Sequence, residues 1–270
     1  MPCSAPVRGK TDLINPWEPL TDNDPCGKPD FAAGLCKPHW QAKNGLVPDG
    51  LNVDGQTVLL VHADGADGAT AFSDASPFAH TVTAQGTAKV ATAQSVFGGA
   101  SALFDATAAC RLTTPDAPEF EFGAGDFTID LWYRPVVHTT GRYLCGKWDT
   151  TGNQRCWGVT FNPGNSLQFV YSVLGSDVLS APWNVPGGIS NGTWYHIAVV
   201  RSGGTLLFFV NGSLIGSTAF SGTLFDSTAP VTIGAVTSGT EMNGYLDEVR
   251  LSKGIARWTA PFNPPAAPYS

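Results

Sequence analysis

From Gln56 onward the chain reads as short apolar runs broken by Gly, Pro, Asn and Asp, and several of the runs alternate apolar and polar positions. A period of two places successive side chains on opposite faces of a strand. Residues 57–62 open the series. In residues 127–134, Phe127, Ile129, Leu131 and Tyr133 fall on one face and Thr128, Asp130, Trp132 and Arg134 on the other. Residues 158–161 and 166–171 flank an Asn-Pro-Gly-Asn turn at 162–165. Residues 194–201, 205–210 and 213–218 form a meander whose second turn is Asn211-Gly212, the strongest short hairpin signal. Residues 244–251 give the last strand, with a helical turn expected over 253–258. The pattern predicts an all-β protein of antiparallel strands with no internal repeat.

Residues 1–54 show neither period and carry eight prolines between Pro2 and Pro48. Such spacing stops a helix or sheet from propagating. The expectation is an extended Pro-rich arm (1–54) preceding a β-domain (55–270). Leu13, Ile14, Trp17, Phe31, Leu35 and Trp40 are more apolar points than a solvated tail carries, so the arm reads as a docking segment rather than a disordered tail.

Composition narrows the classes. With 31 glycines, 20 prolines and only 14% charged residues, long helices are disfavoured. A formal net charge of −7 argues against nucleic acid, which is held through clustered Lys and Arg. No apolar run is long enough to span a bilayer, and the first residues lack the apolar stretch of a secretory signal. Of six cysteines, Cys110, Cys145 and Cys156 lie in the β-domain. Reduced buried thiols are expected there, with a cross-strand Cys145–Cys156 bridge as the open alternative, because the two flank the hairpin turn at 149–154.

Five segments occur in order: residues 59–65 (Leu-Leu-Val-His-Ala-Asp-Gly), 94–105, 125–135, 192–201 and 244–251. Together they closely resemble the laminin G-like, concanavalin A-like jelly-roll domains of bacteriophage virion proteins and bacterial surface proteins. The resemblance spans roughly residues 56–264 and implies an antiparallel two-sheet sandwich. It also implies a virion structural protein, a head decoration or tail component, whose arm contacts other virion proteins and whose domain binds surface polysaccharide; a homo-oligomer is compatible with this. The alternative is a bacterial extracellular or cell-surface carbohydrate-binding or adhesion module, and a sandwich glycosidase ranks third. A fold hosts many functions, so the site decides.

The resemblance further implies a calcium ion between the end of the first strand and the last strand, with Asp64 and Asp247 as carboxylate ligands and carbonyls of residues 97–99 completing the shell. Calcium takes six to eight oxygens, several from backbone. The competing reading makes Asp64 and Asp74 turn formers and Asp247 a hydrogen-bonded structural residue. Cys3, Cys26, Cys36 and His39 offer a zinc set, although their spacing fits no standard finger. For glycan stacking the candidates are Trp183, Trp148 and Trp157, since flat indoles pack on sugar C–H faces. Catalysis finds no support: Gly188-Ile-Ser-Asn-Gly192 precedes a strand rather than forming an elbow, and the adjacent Asp247 and Glu248 should face opposite ways.

Overall fold

The computed structural model describes residues 53–138, 141–162, 164–236 and 240–270. The zinc expectation on Cys3, Cys26, Cys36 and His39 and nearly all of the arm therefore lie outside the described residues. Among the described residues sixteen strands form two eight-stranded sheets in which every pairing is antiparallel, the all-β fold that the alternation predicted in the jelly-roll sandwich that the resemblance implied.

The first sheet runs β14 (Ser213–Ala219), β13 (Thr205–Val210), β12 (Tyr195–Ser202), β7 (Phe127–Val137), β16 (Asn243–Lys253), β5 (Ser101–Asp105) and β4 (Lys89–Ala91). A further strand, β1 (Thr57–Val61), also pairs with β16. The second sheet runs β11 (Leu179–Asn184), β10 (Ser166–Tyr171), β9 (Gln154–Asn162), β8 (Arg142–Asp149), β15 (Val231–Ile233), β6 (Arg111–Thr114), β3 (Thr81–Gln85) and β2 (Ala71–Ser73).

Alternation directs the packing. Phe127, Ile129, Leu131 and Tyr133 enter one core with Leu144, Trp157, Val159, Phe161, Leu167 and Phe169 of the opposing sheet. Burial of such side chains stabilises by about 1.5–3 kcal/mol each. The hairpin at Asn211-Gly212 forms as its sequence predicts, with φ of 49° and 73°, the two left-handed residues that a tight β-hairpin turn needs.

One expectation is corrected, and one open alternative is excluded. Residues 253–258 form no helical turn; after β16 the chain runs as bends across the outer face of the first sheet. Its backbone there is satisfied by a strand side chain instead: Thr128 Oγ1 donates to the Ile255 carbonyl and accepts from Arg257 N. Cys145 and Cys156 are not bridged. Register pairs Cys145 with Val159, the register shifts between Lys147 and Trp148, and both thiols are free and buried.

The C-terminal segment closes the outer face. Trp258 stacks on Phe262 at 4.1 Å between ring centroids, Phe262 N donates to Gly212 O, and Tyr269 is buried against β7 and β16. Beneath it lies a buried polar group in which Arg250 pairs with Asp130 at 3.0 Å and stacks over the Tyr269 ring at 3.7 Å. The Tyr269 hydroxyl donates to Asp130 Oδ2. The two ends of the described domain meet, since Val53 N donates to Ser270 O and Arg257 pairs with Asp54 at 2.7 Å.

Candidate functional site

A gap in the first sheet builds the first candidate site. Along one edge β16 meets β7 throughout, but along the other it pairs with β5 over residues 243–246 and with β1 over 249–252. Asp247 and Glu248 sit at the change of partner. Register slips between Asp247 and Arg250, and Glu248 takes φ of 51°. The expected strict alternation of these two carboxylates is thus broken by a bulge, and both are buried.

Each carboxylate finds separate partners. Asp247 Oδ2 accepts from Val96 N at 2.7 Å and Phe97 N at 3.2 Å. Glu248 receives the His62 ring at 2.7 Å and Tyr269 N at 2.9 Å. Asp64 comes to the same place from the end of β1, and a Cβ built on Gly98 would fall 1.8 Å from Asp64 Oδ1. The absent side chain at Gly98, with φ of 59°, is what admits this carboxylate. Asp64 and Asp247 thus both lie beside the Val96–Gly98 backbone.

The electrostatics of this corner favour a cation. Burial, reinforced by the charges of Glu248 and Asp64, pushes Asp247 up to about 7 against the pull of the Val96 and Phe97 amides. Burial raises Asp64 as well, with His62 opposing. The hydrogen bond that His62 donates to Glu248 raises the imidazole. Asp247 Oδ1 is buried without a hydrogen-bond partner, a free acceptor of the kind an ion satisfies. Among the described residues no group of three or more His, Cys, Asp or Glu is arranged for a metal. The residues fit a hard cation only with backbone carbonyls as further ligands. Asp74 is a turn former, accepting from Leu60 N, Ser76 N and His80 N.

The three tryptophans separate by environment. Trp157 is fully buried and stacks on Phe122 at 5.4 Å, so it presents no face to a sugar; that expectation is corrected, because its position on β9 points into the sandwich. Trp148 is buried with Val170 and Val236 in a small cluster on the far side of the second sheet and is likewise closed. Trp183 is half-buried where the edge strands β11 and β14 meet. Its Nε1 donates to Thr218 Oγ1 at 2.9 Å and its ring lies where a Gly216 Cβ would be.

A further aromatic surface remains open around Trp194, and sequence reasoning had not singled out Arg134 or Tyr245 for it. Arg134 on β7 faces Tyr245 on β16, its guanidinium 5.6 Å from the ring centroid, and Trp194, just before β12, lies 6.5 Å from the same ring. All three are half-exposed. Leu103 and then Lys89 continue this row across β5 and β4. The next row, His196, Trp132 and Asp247, leads to the carboxylate corner, where Phe97 meets Trp132 edge-on at 6.2 Å. Trp132 Nε1 is buried with no acceptor. The alternation of residues 127–134 did mark Arg134 as outward-facing; only the path of the C-terminal segment decides which outward positions stay open.

Two antiparallel sheets stacked in this topology, with a carboxylate corner where strand partners change, define a concanavalin A-like jelly-roll domain. Residues 107–256 match the pattern of the Concanavalin A-like lectin/glucanases superfamily, and the chain belongs to that superfamily. Among solved structures it is similar to the binding domain of Paraclostridial Mosquitocidal Protein 1 (TM-score 0.60, 14% identity, 75% of this chain and 50% of that one). It is also similar to the Botulinum neurotoxin serotype G binding domain (0.58, 12%, 74% and 49%). A third likeness is to domain 4 of AbnA, a GH43 extracellular arabinanase from Geobacillus stearothermophilus, in complex with arabinotriose (0.55, 17%, 74% and 94%). The chain spans about half the length of the toxin binding domains it matches. A search of curated proteins finds no match.

Proposed function

We propose that the sandwich is a non-catalytic carbohydrate-binding module whose sugar lies on the outer face of the first sheet, against Trp194 and Tyr245. The observation that carries this is the open row Trp194–Arg134–Tyr245: aromatic faces beside a guanidinium on a part of the sheet that the C-terminal segment leaves uncovered. Aromatic rings pack on sugar C–H surfaces and the guanidinium donates to hydroxyl or carboxylate oxygens. The adjacent Asp247 and Glu248 are engaged by backbone amides, His62 and Tyr269, which suits structural carboxylates better than a hydrolytic acid pair.

In this reading Asp64 and Asp247, with carbonyls of residues 97–99, hold a calcium ion that fixes the loop before β5 beneath Phe97. The buried free oxygen of Asp247 and the Gly98 cradle support it. The setting we favour is a bacteriophage particle, head or tail, with residues 1–54 as the attachment to other virion proteins. The five ordered motifs and the apolar points of the arm support that setting. A bacterial surface module would use the same sugar face.

Three measurements test these statements. A glycan array should give hits with the wild type that Trp194→Ala and Tyr245→Ala lose by at least about tenfold, equivalent to 1.4 kcal/mol; an array without hits removes the sugar role. Calcium added to chelated protein should raise the melting temperature of the wild type but not of Asp64→Asn, and an unchanged wild type removes the ion. Deleting residues 1–54 should abolish incorporation into particles, and retained incorporation removes the arm's role.

A further inference from the structure

A lysine lies where the core should be apolar. Lys147 on β8 faces inward between Trp157 of β9 and Val231 of β15, and its side chain is 0% exposed. Its amine touches two oxygens, Asp116 Oδ1 on the connection between β6 and β7, and the Ser227 carbonyl on the connection before β15. Glu121 and Asp226 lie on the same two connections, and burial, then the charge of Asp226, raises Glu121 while Lys147 opposes. An ion pair here costs desolvation that apolar residues of similar volume would avoid. Nothing in the proposed sugar or calcium sites uses it.

We propose that Lys147 and Asp116 join in an intramolecular amide, an isopeptide bond between Nζ and Cγ. The amine is held by the Ser227 carbonyl against the carboxyl, so the reaction is unimolecular and gains from proximity rather than from an external catalyst. For the reaction the ammonium passes a proton to the carboxylate it touches, leaving a neutral amine and a neutral acid. The Nζ lone pair adds to Cγ, the C–OH bond breaks, and the proton lost by nitrogen reaches the departing hydroxyl with the Glu121 carboxyl as the near carrier. One ammonium and one carboxylate become one amide and one water, with no redox partner. Asp116 lies at the surface end of the contact, which gives the water an exit, and the remaining amide N–H still faces the Ser227 carbonyl. The product ties β8 covalently to the β6–β7 connection and removes a buried charge pair.

Intact mass spectrometry of the purified full chain tests this directly. The expected mass is one water below that of the unmodified linear chain, and trypsin should yield residues 112–142, containing Asp116, linked to residues 143–155 with Lys147 uncut. Lys147→Arg, which keeps the ion pair but cannot form this amide, should recover the full mass and melt at a lower temperature. A wild-type mass equal to that of the unmodified linear chain overturns the proposal and leaves a plain buried ion pair. A water deficit that maps elsewhere, for example to a succinimide at Asp64-Gly65, overturns it equally.

Discussion

At the scale of single residues, environment rather than identity sets the role. Trp157 and Trp194 are the same side chain, yet one fills the core and the other stands half-open at the end of a sheet. Trp157→Ala should therefore cost about 3–5 kcal/mol in chemical denaturation, whereas Trp194→Ala should cost under about 1 kcal/mol and act on binding. His196 shows the same dependence. It is fully buried on β12, facing Asp130 from β7, Arg250 from β16 and the Tyr269 hydroxyl from the C-terminal segment, among the rings of Trp132, Trp258 and Phe262. Burial holds its imidazole below the ordinary 6.5, with Asp130 opposing. The folded state thus keeps His196 neutral while the unfolded chain takes up a proton below about 6.5, so stability is full above that pH and declines as pH falls through it. Because the raised Asp247 and His62 act in the opposite sense over the same range, the test is a difference: calorimetry between pH 7.5 and 5 should show the melting temperature of His196→Gln gaining on that of the wild type toward acid. The chain order alone gave no sign of this: His196 occupies a polar-face position of its strand, and it is buried only because a distant segment lies over it.

At the scale of elements, turns and strand ends carry the specificity. The Asn211-Gly212 hairpin was legible because only a left-handed pair closes two strands so tightly. Its second role was not legible: Gly212 also receives the C-terminal segment, and a Cβ there would lie 1.8 Å from the Phe262 carbonyl oxygen. Gly212→Ala should lose at least about 1–2 kcal/mol to backbone strain alone, and limited proteolysis should cut the segment after β16 sooner. The Asp247–Glu248 bulge follows a similar logic. A strand that changes partner halfway cannot keep one register along both edges, and the resulting break turns both carboxylates to inward hydrogen-bond partners. Sequence spacing put them on opposite faces; the change of partner from β5 to β1 involves residues almost two hundred positions away. Gly98→Ala should displace Asp64 and erase any calcium-dependent rise in melting temperature, measured by the same titration as Asp64→Asn.

For the whole molecule, the C-terminal segment completes the fold. It supplies Trp258, Phe262 and Tyr269 to the outer face of the first sheet, covers the Asp130–Arg250 pair and reaches Glu248 through Tyr269 N. Truncation after Gly254 should leave those charges without their cover, lower stability by more than about 3 kcal/mol, and show as loss of the cooperative thermal transition. What the sequence alone determined was local and periodic: alternation specified strands and their inner faces, Asn-Gly specified a hairpin, and the ordered motifs specified the sandwich, because each depends on residues a few positions apart. Which outward aromatics stay open, where two distant carboxylates meet across Gly98, and why a lysine sits in the core were decided only by tertiary structure. Those outcomes depend on chain segments that come together through the pairing of strands far apart in sequence, and no short-range pattern encodes which segment will cover which face.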